Sequence, residues 1–151
     1  MRNLWSRVVR STTDTPVVII RASVGLIFLS EGIQKFLFPE SVGAGRFEKI
    51  GLPSPELLAP VVGSFEIACG HFILIGLLTR LASTPLVIVM LTAISSTKIP
   101  ILLESGFWKM AHEARTDFSM LLSLIFLLIV GSCPFSLDKV LWQKKVGRWL
   151  R

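Results

Sequence analysis

The chain has 151 residues, a length that suits one domain. Its hydrophobic share of 52% and mean hydropathy of +0.67 exclude an ordinary soluble fold, because surface helices in water need a polar stripe. The net charge of +6 does not point to nucleic acid, since the basic residues flank apolar runs and fit no binding motif. Membrane lipids are their expected partners.

Residues 1–15 place Leu4, Trp5, Val8 and Val9 among three arginines, the pattern of a short interfacial helix. The first apolar run covers 16–38, with Pro16 suited to a first turn and Pro39 closing the segment. An outer loop, 39–55, follows; its glycines and prolines predict a bend and then an extended entry into the next helix. The second run, 56–78, opens on Ser54-Pro55-Glu56, a helix-start signature. Leu78-Thr79-Arg80 is too short a link for anything but an antiparallel hairpin into the third run, 81–103. A second outer loop, 104–114, holds Phe107 and Trp108, which fit an interfacial aromatic belt. The fourth run, 115–133, ends before Pro134, and a basic tail, 134–151, carries Trp142 and Trp149 as headgroup anchors.

Each run is about as long as the ~20 helical residues that cross a bilayer. The fold class is therefore an all-α membrane protein, an antiparallel four-transmembrane-helix bundle. Arg2, Arg7, Arg10, Arg80, Lys139, Lys144, Lys145, Arg148 and Arg151 all fall on one side of it. The positive-inside rule makes that side cytoplasmic and puts both termini there. The first run is too long for a signal-peptide core, and no small-residue cleavage site follows it, so it is expected to remain as a helix. Cys69 and Cys133 show no metal or CxxC spacing and read as small core residues.

Gly25 and Gly32 share a face of the first helix, as do Gly63 and Gly70 of the second, at 3.6 residues per turn. Small residues at that spacing permit close helix approach in membranes. Glu66 lies between the second pair on roughly the same face, so its carboxylate is expected to point inward. His71, about 140° away, belongs to another environment. Arg21, near the cytoplasmic end, is expected to snorkel to lipid phosphate.

Glu31, Lys35, Glu66, Lys98, Arg115 and Asp117 gather in the outer half of the predicted bundle. A charge there costs at least ~2.5–3.5 kcal/mol in lipid, so each needs a partner, water or a ligand. Glu31 and Lys35 are a favourable i,i+4 pair. Two readings follow: a closed ion-pair network that joins the helices, or a polar pocket. In a pocket, Lys35, Lys98, Arg115 and Asp117 are the candidate quinone- or oxyanion-binding groups, and Glu31 and Glu66 the candidate catalytic proton groups. Glu66 is expected to meet at least one of Lys35, Lys98 and Arg115. No metal motif, phosphate loop or dinucleotide fingerprint occurs, so a self-contained redox enzyme is not expected. No covalently bound cofactor is expected either.

Several segments resemble the DoxX family of small bacterial four-helix membrane proteins. They are Arg21-Ala22-Ser23-Val24-Gly25-Leu26-Ile27-Phe28 with Gly32 and Lys35, Phe47 to Pro55, Gly63-Ser64-Phe65-Glu66, Gly76 to Ala82, and Gly131 with Ser136-Leu137-Asp138. The resemblance spans about residues 17–141, and the chain departs from the family's pattern at Cys69-Gly70-His71 and Gly131-Ser132-Cys133-Pro134. It implies a bacterial inner-membrane location. It also implies a role as an accessory or quinone-interacting subunit of a membrane oxidoreductase system for thiosulfate or thiol redox, beside a redox partner protein. A non-enzymatic scaffold and a small transporter are the alternatives, the latter requiring a homo-oligomer.

Overall fold

The computed structural model describes residues 15–132, 135–141 and 143. The expected interfacial segment 1–15, apart from Thr15, lies outside them, as do Cys133, Pro134, Trp142 and Trp149. The elements in order are α1 (Val17–Leu37), α2 (Ala44–Lys49), α3 (Pro55–Ile75), α4 (Thr79–Ser105) and α5 (Phe107–Val130). Helices α1, α3 and α4 are long and apolar enough to cross a membrane. Helix α5 is comparably long, but Lys109, His112, Glu113, Arg115 and Asp117 occupy its first half.

Helices α1 and α3 run antiparallel and touch through their backbones. A Cβ at Gly32 would lie 2.7 Å from the Gly63 carbonyl oxygen, and one at Gly25 would lie 2.9 Å from that of Gly70. Real side-chain carbons do not sit so close, so the paired glycines set the helix separation. Helices α4 and α5 form a second antiparallel pair, in which Arg80 meets Ile129 and Val130 near one end and Lys98 meets Asp117 toward the other. Val24, Phe28, Ile73, Leu86, Leu124 and Leu127 fill the core between the pairs. Large apolar side chains such as Ile19, Leu57, Leu103 and Ile129 face outward, as a lipid-facing surface requires.

The connections differ from the sequence expectation at two places. The loop expected over 104–114 is helical: α4 continues to Ser105, and α5 begins at Phe107 after Gly106 alone, with φ +80°. Polar residues end an apolar run without ending a helix, and only the glycine supplies a left-handed φ for the reversal. In the first loop, Ala44–Lys49 forms α2, held down by Phe47, which is buried. The linker after α3 turns at Gly76 and Leu78, both with positive φ, and keeps the expected antiparallel hairpin.

Arg21 does not snorkel; it is 3% exposed. Its Nε donates to the Ile73 carbonyl oxygen at 2.9 Å, Nη2 to that of Leu74 at 2.9 Å, and Nη1 to that of Phe135 at 3.0 Å. The last carbonyls of a helix have no partners within it and carry partial negative charge, so a buried guanidinium fits there better than in lipid. Asp138 completes the lock, with Oδ1 accepting from Leu78 N at 2.8 Å and its own N–H donating to Gly76 O at 3.1 Å. Ser136-Leu137-Asp138 thus ties the chain's last described turn to the α3–α4 link. This closed end is opposite the end that carries α2 and Gly106.

Candidate functional site

The glycine contact that joins α1 to α3 also fixes the first ion pair. Lys35 stands beside Gly63 and reaches one turn along α3, where its Nζ lies 2.6 Å from Glu66 Oε2. The two side chains are 9% and 4% exposed, so this is a desolvated pair. Glu66 points inward, as the glycine face implies, and Lys35 is the cation it meets. Lys98 and Asp117 form the second pair at 3.0 Å, joining α4 to α5 in a more accessible setting.

The expected Glu31–Lys35 pair does not form, and Arg115 stands apart from the ion pairs. Glu31 is exposed and makes no ion pair among the described residues; Lys35 turns to Glu66 instead. An exposed i,i+4 pair contributes only ~0.2–0.5 kcal/mol, which cannot compete with satisfying a buried carboxylate. Arg115 is also exposed, and its Nη1 lies 2.8 Å from His112 Nε2 on its own helix, away from Glu66. His71 is exposed on the outside of α3, and Cys69 is buried in the core.

The two ion pairs do not seal the space between the helix pairs. A cavity of about 430 Å³ lies there, within the range of small-molecule sites. Phe28, Ile88, Met90 and Met120 supply apolar walls. Glu31, Lys35, Arg46, Glu66 and Asp117 are its ionisable lining, while Lys98 supports Asp117 from outside that lining. Thr92, Ser96, Thr97 and Thr116 add hydroxyls, and those of Ser96 and Thr97 already donate to Thr92 O and Ala93 O. Ile88, 60% exposed, also lines the cavity, so one wall of it borders the apolar exterior of the bundle. Such a space suits a largely apolar molecule that carries a few hydrogen-bonding groups.

Sequence reasoning missed Arg46 and the hydroxyl stripe of α4. Arg46 stood in a presumed loop, and the signal that could have found it was Phe47, an aromatic in a polar segment. Among the described residues, no group of three or more His, Cys, Asp or Glu side chains could hold a metal ion.

Apolar spans, a glycine-tight helix pair and a charge-edged cavity within the bundle define a small helical membrane protein. The chain matches the DoxX family over residues 17–99, from the start of α1 through most of α4, and belongs to that family. It is 50% identical over 146 residues to the "Uncharacterized membrane protein Rv3486" of Mycobacterium tuberculosis, across 93% of this chain and 90% of that one. It is 30% identical over 128 residues to the "Putative oxidoreductase CatD" of Bacillus subtilis, across 85% of this chain and 88% of that protein. No solved structure matches.

Proposed function

We propose that the chain is an accessory, quinone-interacting subunit of a membrane oxidoreductase system, set in the bacterial inner membrane with both termini cytoplasmic. The observation that carries this reading is the cavity of about 430 Å³ between the helix pairs, apolar over most of its wall and edged by charge. A purely structural network would close its polar groups on one another and leave no such space. The name of the Bacillus subtilis relative is consistent with an oxidoreductase setting.

In this reading the ring of a quinone lies against Phe28, Ile88, Met90 and Met120, having entered from the bilayer. Glu66, held by Lys35, and Glu31, exposed on the cavity lining, are the groups able to exchange protons with ring oxygens. The electron-carrying centre belongs to a partner protein. Arg115, bonded to His112 and away from the cavity lining, has no part in it.

Thermal denaturation in mild detergent tests the proposal with 2,3-dimethyl-1,4-naphthoquinone, a quinone without an open ring position for thiol addition. Stabilisation that rises with the logarithm of free ligand above Kd is expected, near 2.7 kcal/mol when the free ligand reaches about 100 times Kd. A midpoint that stays flat across the titration would reject the quinone reading.

A further inference from the structure

Lys35 and Lys98 are the cations the sequence offers first to a ligand, yet each already holds a carboxylate, at 2.6 Å and 3.0 Å. Drawing Lys35 toward a ligand would strand Glu66, 4% exposed, and a buried charge without its partner is strongly unfavourable. A charge inventory of the cavity therefore leaves two side chains over. Among the described residues, Arg46 is the lining cation with no ion pair, and Glu31 is the lining carboxylate with none. Arg46 rides on α2, whose Phe47 is buried and lines the same space. The aromatic ring fixes α2 over the end of the cavity remote from the Arg21 lock, so the guanidinium stands at the rim above apolar walls.

We infer that Arg46, rather than Lys35 or Lys98, binds the oxygen-bearing head of the cavity's ligand. We further infer that the ligand is an uncharged, membrane-soluble ring and not a small oxyanion. This inference rests on the quinone reading above. A guanidinium presents several N–H donors in a planar fork and suits a ring carbonyl without needing a counter-charge. The charge balance selects the ligand class. Lys35 cancels Glu66 and Lys98 cancels Asp117, while Glu31 offsets Arg46, so the site offers no net attraction to a free anion. Glu31 would repel one directly.

The test compares wild type, Arg46→Gln, Arg46→Lys and Lys49→Gln in mild detergent, titrated with 2,3-dimethyl-1,4-naphthoquinone and read as thermal midpoints. Lys49 is exposed on the same short helix, lies outside the cavity lining and controls for loss of any positive charge. Arg46→Gln is expected to weaken binding about 10- to 100-fold, the range for removing a hydrogen bond from a charged donor. Arg46→Lys is expected to lie between it and wild type, and Lys49→Gln to match wild type. The unliganded midpoint of Arg46→Gln should not move, because Arg46 is exposed and holds no ion pair among the described residues. Binding by wild type with equal affinity in Arg46→Gln would overturn the assignment and leave the quinone reading standing. Failure of wild type itself to bind would remove both. Displacement of the quinone by thiosulfate at constant ionic strength would overturn the neutral-ligand class.

Discussion

Replacing Glu66 with leucine, with Lys35 left in place, is expected to destabilise the bundle by roughly 3–5 kcal/mol. The substitution leaves an ammonium between α1 and α3 without its carboxylate; the Lys35 side chain is 9% exposed and Gly32 and Gly63 hold the backbones together beside it. Most of that loss is the penalty of the stranded charge rather than the worth of the pair. The double variant Lys35→Met/Glu66→Leu is therefore expected to recover most of the stability, because two apolar side chains can share the space. Equilibrium unfolding of the two single variants and the double closes the cycle and isolates the coupling. Asp117→Asn serves as the comparison. Its pair with Lys98 is more open to solvent, at 27% exposure for Asp117 and 12% for Lys98, so the expected loss is smaller. An unchanged midpoint for Glu66→Leu would mean that the pair does not brace the helices.

The second large effect is expected at the opposite end of the bundle. Arg21→Lys, conservative in charge, should cost about 3 kcal/mol. Three carbonyl oxygens, those of Ile73, Leu74 and Phe135, lie within 3.0 Å of separate guanidinium nitrogens. An ammonium on a single stem cannot meet all three in that geometry, and each bond from a charged donor contributes ~1.5–3 kcal/mol when its partner has no substitute. The segment around Phe135 and Asp138 should loosen first, since Arg21 and the Leu78 N–H anchor it. Limited proteolysis checks this: cleavage after Lys139 should quicken in Arg21→Lys. Equal cleavage and an equal melting point would contradict the lock.

Much of this architecture was legible in the residue pattern. Apolar run lengths gave the spanning helices, and the glycine pairs gave both the α1–α3 contact and the inward direction of Glu66. Those features follow from period and volume, which a sequence displays directly. The competition for Lys35 was not legible. Glu31 is its neighbour on the helix, but burial makes Glu66 the costlier group to leave alone, and burial depends on how two helices pack. The start of α5 was hidden for a related reason. Hydropathy follows the apolar stretch, whereas the helix extends through Lys109, His112 and Glu113 back to Gly106. Arg21 was misread because its partners, three backbone carbonyls, have no sequence signature; they converge only when α3 ends at Gly76 and the tail folds back. Arg46 was overlooked because a six-residue helix in a loop gives too short a period to detect.

On the proposed function, the space between the two helix pairs is a ligand site and not a packing defect. Cryo-EM of the protein purified in mild detergent, combined with native mass spectrometry of the same sample, tests it most directly. The expected result is ring-shaped density against Phe28, Met90 and Met120 with its oxygen toward Arg46, and a co-purified mass that matches a quinone. A cavity collapsed onto its own side chains, with the bare protein mass alone, would contradict it and leave the charged cluster as a brace between helices.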